Sequence, residues 1–396
     1  MRAALGLALA GIALAGSAVA EGRMSRTIGK ALFERAWVPA PSSTRANDGL
    51  GPLFNARACI SCHAGLERMP VATDASGKIV SDNLVLRFSD GAGRPDPVYG
   101  SQLQTAGVPG VAPEGRLAFD ETGPIPLALA HGSPASGTRH GARLAPALRG
   151  LGRLEGVPDT VLSALADPAD ENGDGISGRV GPVRAPDGAQ RVGRFGWKAS
   201  AASLAGMVEA AFSTDLGLST PGRPAPWGDC GERQPECRAA PHGGSWNEPE
   251  ITGELVAMIR DYLAAVPPSA RAAPADHTRG ESTFARIGCA ACHVPALSSP
   301  RGSVEAYTDL LLHDMGEELD GGATEPGVEA REWRTAPLWG LSRILASGAG
   351  LLHDGRATTL DGAIRAHGGE GGHARARYLA LDHDERERLL AFLSSL

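Results

Sequence analysis

The chain has 396 residues, 42% hydrophobic and 21% charged, which is enough for two modest cores. Its net charge is -7 and no run of Lys or Arg stands out, so nothing points to nucleic acid or to an anionic membrane surface as partner. Gly (53) and Pro (29) are abundant, which predicts long loops joining short helices.

Residues 1–20 open with Arg2, continue through an apolar stretch rich in Ala, Gly and Leu, and close with Ala18-Val19-Ala20. That is the plan of a secretory signal, with cleavage expected after Ala20 and the mature chain expected in the periplasm. An uncleaved anchor is the alternative, and no other apolar run is long enough to span a bilayer. Outside the cytoplasm thiols are normally oxidised or otherwise occupied, so each of the six cysteines calls for an assignment.

Cys59-Ile60-Ser61-Cys62-His63 is the first of two C-x-x-C-H motifs; the second is Cys289-Ala290-Ala291-Cys292-His293. This spacing is the attachment signature of c-type haem. Two thiols three positions apart on one turn can form thioethers with the two haem vinyl groups, and the following His offers an imidazole to the iron. A redox dithiol or half of a zinc site are the alternatives, and the His in both copies weighs against them.

Between the motifs, apolar residues at three and four spacings predict helices over 159–166, 199–212 and 249–266, and beyond them over 282–288, 360–367 and 382–396. Asp382 with Glu385 reads as a capping box for the last of these. Asp170, Asn172 and Asp174, followed by Gly175, form the first half of an EF-hand-like loop, but Gly181 stands where the closing Glu belongs. A calcium site completed from elsewhere and a plain Asn/Gly/Asp turn both fit. Cys230 and Cys237 lie in a polar loop and are expected to pair as a local disulfide contributing about 2–3 kcal/mol. The Pro- and Ala-rich stretch 267–275 reads as a linker. The expected fold is therefore mostly α: two cytochrome c-like haem domains with long irregular loops, an N-terminal one over 21–266 with inserted loops and a C-terminal one over 276–396.

Beyond the haem motifs, Gly49–Asn55, Gly193–Ala199, Tyr307–Gly316, Glu332–Gly340 and Leu352–Ala357 resemble the di-haem oxidoreductase family, often labelled thiol oxidoreductase or peroxidase and related to the bacterial di-haem cytochrome c peroxidases. The thiol label has no support in these residues. The resemblance implies that His367 is the far-side ligand of the C-terminal haem, opposite His293; a surface helix histidine is the other reading. For the N-terminal haem, relatives place a Gln opposite the proximal His, on a helix resembling 199–212. Here that position falls on Met207, which either ligates the iron or packs as core, with Asp215 as the acidic group. Gln102 and Gln104 are alternative donors. Trp197 falls near an aromatic between the haems, and His353, Arg334 and His313 near a haem edge and its propionates.

The implied activity is peroxidase-like, reducing hydrogen peroxide or another small oxidant with electrons from a small periplasmic donor or an oxidised protein substrate. The rivals are a non-catalytic di-haem electron carrier and an oxidase that modifies a partner protein by long-range transfer.

Overall fold

The computed structural model describes residues 20–44, 47–120, 123–185, 187–245, 247–271 and 277–396. The signal segment up to 19 and linker residues 272–275 lie outside the described residues.

Capping decides where most of the predicted helices begin. Ser203 accepts from Gly206 N (3.1 Å) and starts the helix Leu204–Asp215 five residues later than the apolar spacing suggests. Ala199 is left-handed (φ 50), which stops the helix from starting there. Thr252 caps Gly253–Ala265, Thr359 caps Leu360–Arg365, and Asp382 accepts from Glu385 N (2.7 Å) to cap His383–Ser394. The predicted segments 159–166 and 282–288 correspond to Asp159–Leu165 and Thr278–Arg286.

The fold is not mostly α. Helices make up 31% of the chain and strands 16%, the latter as two-stranded antiparallel sheets, five among the described residues. The longest pairs Leu84–Ser89 with Arg139–Leu144, segments far apart in sequence. Another pairs Arg116–Asp120 with Gly123–Leu127, whose Pro124 and Pro126 disguise it. A strand with one neighbour has no need of outward N–H groups, so proline is tolerated there.

Among the described residues, three large apolar clusters form most of the core. The largest gathers Leu32, Phe33 and Trp37 with Leu204, Val208 and Phe212 of one helix and Val256, Ile259 and Leu263 of another. Leu297, Val304, Ala306 and Leu310 join it, so the chain beyond the second C-x-x-C-H motif packs back onto the core that carries the first. A second cluster centres on Phe284, Tyr378, Leu389 and Phe392, and a third on Leu86, Phe88, Tyr99 and Leu103. Cys230 and Cys237 are bonded and buried against Leu53. No helix among the described residues is long and apolar enough to cross a membrane.

Candidate haem sites

Both C-x-x-C-H segments close the same backbone bond, the first as an α-helical turn and the second as a 3-10 turn. His63 N donates to Cys59 O and His293 N to Cys289 O, each at 3.0 Å, so each motif closes a single turn with its two thiols and its imidazole on it. Gly288 (φ 97) provides the left-handed step between the helix Thr278–Arg286 and the second turn. All four motif thiols are free. Burial pushes Cys59 and Cys289 up to about 12, and Cys62 higher still with the help of Asp215. A redox dithiol needs a stabilised thiolate, and these three thiols are held the other way.

The two imidazoles are prepared alike. His63 Nδ1 donates to Pro146 O (3.0 Å) and His293 Nδ1 to Tyr307 O (2.9 Å). Burial lowers both to about 4, so each ring is neutral. A carbonyl only accepts, so the ring proton sits on Nδ1 and Nε2 carries the lone pair that a metal takes. His367 repeats the pattern: Nδ1 donates to Ala363 O (2.7 Å), burial lowers its basicity, and it lies near enough to His293 to lower that ring further. Two C-x-x-C turns with free thiols, each followed by a neutral imidazole, form a donor set that fits haem c.

His313 and His353, expected at a haem edge, have different states. His313 donates through Nε2 to Asp309 (2.9 Å) and through Nδ1 to Glu370 (2.7 Å), and lies 3.7 Å from Cys292 Sγ. Burial pulls its pKa down, but these partners win and raise it to about 12. It is therefore an imidazolium without a lone pair, and the cluster of Cys292, Asp309 and His313 lacks a third free ligand. Gly178 packs flat on His313, where an added Cβ would lie 2.5 Å from its Cε1. His353 is buried and stacked on Trp333 at 3.7 Å and 10°. Burial and four surrounding cations keep it neutral.

Trp197 links segments far apart in the chain. Its Nε1 donates to Leu144 O (2.8 Å), Arg68 lies 5.3 Å over its ring, and its own carbonyl accepts from Arg334 N (3.0 Å). Arg334 spends Nε on Gly196 O and Nη1 on Thr335 O.

Met207 is half-buried against the same cluster as Cys59 and Ile60 of the first motif. Asp215, at the end of that helix, is raised by burial and lies near enough to Cys59 and Cys62 to raise them in turn. Gln102 Nε2 donates to Asp215 Oδ1 (2.8 Å) and to Asn55 Oδ1 (2.6 Å), while its oxygen accepts from Arg87 (3.1 Å). Gln104 donates through Nε2 to Thr214 O (2.9 Å), and its Oε1 is buried without a partner.

Sequence reasoning missed Glu114, which is fully buried and accepts from Gln104 N (2.6 Å) and from Gln234. A single Glu in a Pro-Glu-Gly turn has no spacing that would single it out. Burial lifts it to about 8. The folded chain then keeps a proton that the unfolded chain releases near 4.5, so this stabilisation is complete below 4.5 and is lost as pH rises towards 8. Glu114→Gln is expected to flatten that slope in urea denaturation followed across the same range; a slope equal to the parent's would assign it to another group.

The loop of Asp170, Asn172 and Asp174 is shaped by its own side chains. Asp170 accepts from Gly175 N, Asn172 from Asp174 N and Asp174 from Ile176 N, as an Asn/Gly/Asp turn requires. Ser177 ties it to Glu370 (2.9 Å) and so to His313.

The family model described as "Di-haem oxidoreductase, putative peroxidase" matches residues 135–396. The chain belongs to the di-haem oxidoreductase family. The resemblance read from Gly193 onward is borne out, and the match includes the second C-x-x-C-H motif but begins after the first. No curated protein matches this di-haem oxidoreductase. Among solved structures, the hydrazine synthase of Kuenenia stuttgartiensis is similar over 38% of this chain at 21% identity, with a TM-score of 0.27. The chain spans 58% of that protein, and so slight a likeness carries no argument.

Proposed function

We propose that this di-haem oxidoreductase carries both haems covalently, at Cys59, Cys62 and His63 and at Cys289, Cys292 and His293, in two haem-binding halves. It works outside the cytoplasm as a peroxidase-type enzyme fed by a small donor protein or an oxidised protein substrate. The observation that carries the reading is an asymmetry. The second motif has a neutral imidazole, His367, close to His293, whereas the first has a buried carboxyl, Asp215, close to its thiols, and Gln104, bonded to Thr214 beside it, has an unpartnered amide oxygen.

When bound, the haems supply the redox chemistry, in which hydrogen peroxide takes up two electrons and two protons and leaves as two waters. Burial raises the Asp215 carboxyl and so favours its proton, and Gln102 occupies its Oδ1, leaving Oδ2 to carry that proton. Gln104 Oε1 accepts a hydrogen bond from a peroxide O–H, and Arg87 steadies Gln102. Trp197 bridges the two halves and offers an aromatic path for electrons between them. Calcium enters this proposal as a ligand of the Asp170 loop; a calorimetric titration without heat and a melting temperature unmoved by chelator would remove it.

The test is a low-temperature EPR and optical spectrum of the purified protein, as isolated and with peroxide. A high-spin ferric component that responds to peroxide is expected. Asp215→Asn should lower peroxide turnover by about 10²–10⁴-fold, the usual scale of general acid–base help, with haem content unchanged. Two low-spin haems inert to peroxide would favour the electron carrier, with Met207, packed on the same cluster as Cys59, as the ligand that closes the first site.

A further inference from the structure

Beneath Trp197 and Trp333 lies a buried group of cations that no carboxylate of the described residues contacts. Arg68 and Arg143 are 5% and 7% exposed and Lys198 is wholly buried, and these values place all three out of reach of bulk counter-ions. Lys198 Nζ donates to the carbonyls of Glu329, Ala330 and Glu332. Arg143 donates to Ala142, Gly321 and Ala323, and Arg68 to Leu352. Glu325, Asp320, Glu332 and Asp354 lie near enough to act on these cations but pair with none of them, and Asp354 is already taken by Arg356 at 2.6 Å. Aromatic faces cover part of the charge: Lys198 and Arg143 sit 3.7 and 4.6 Å over Trp333, with His353 stacked on that ring.

Two donors are left over. The Nε–H groups of Arg68 and of Arg143 are buried and have no partner. Burying an unpaired guanidinium edge is costly, and a carboxylate is the group that both neutralises it and fits its fork. Arg68 follows His63 by five residues and lies over Trp197, while its Leu352 contact adjoins His353. We propose that Arg68 and Arg143 receive carboxylates, and that these are haem propionates. This rests on the covalent-haem reading above.

The experiment is a spectroelectrochemical titration of the intact di-haem protein and of Arg68→Gln, Arg68→Lys and Arg143→Gln, with haem content measured for each. Removing a cation beside a propionate favours ferric iron, so the midpoint potential of at least one haem should fall in Arg68→Gln and in Arg143→Gln and be largely restored in Arg68→Lys. Unchanged potentials in both Gln variants, at full haem content, would overturn the assignment. If added acetate shifts the parent protein's potentials and Arg68→Gln abolishes that shift, the site takes a free carboxylate and the propionate assignment fails. A parent protein without covalent haem removes the functional reading itself, and the inference with it, a result that haem content separates from the others.

Discussion

Replacing Cys59 and Cys62 together by serine is expected to reduce covalently bound haem from two per chain to one, read by pyridine haemochrome and by haem staining of a denaturing gel. The reason is chemical: a thioether needs a thiol, and a haem held by His63 alone is lost on denaturation. The local structure gives the change little else to act on. Both thiols are free, and the turn is closed by the backbone bond from His63 to Cys59. The paired replacement of Cys289 and Cys292 should remove the other haem. Two haems surviving in either variant would refute covalent attachment at that motif.

His367→Ala is expected to turn one low-spin haem high-spin, with added imidazole restoring the low-spin spectrum. The ring is neutral, presents Nε2, and is held by a single bond from Nδ1 to Ala363. The readout is the spin state, which a change in stability alone does not move. An unaltered spin state would make His367 a helix-end histidine and leave the second iron to another ligand.

How far the sequence alone reaches can be judged residue by residue. The C-x-x-C-H turns are local: five consecutive residues carry both thiols and the imidazole, so spacing suffices to find them. Helix ends were also readable where a cap was present, as at Asp382, and misread at 199–212, where the left-handed Ala199 and the Ser203 cap moved the start. The strands were lost because a two-stranded ladder derives its register from a distant partner. Nothing in Leu84–Ser89 names Arg139–Leu144.

The site divides along the same line. The sequence by itself determined the two C-x-x-C-H motifs, the family, the pairing of Cys230 with Cys237 and most of the helices, because each depends on residues near one another in the chain. Only the tertiary structure decided protonation and partnership. His313 is an imidazolium because Asp309 and Glu370 converge on it, His353 is neutral because the fold buries it among cations, and Glu114 keeps its proton because burial outweighs the bond it accepts from Gln104. Charge states depend on burial and on neighbours brought from far along the chain, and neither is written in local spacing.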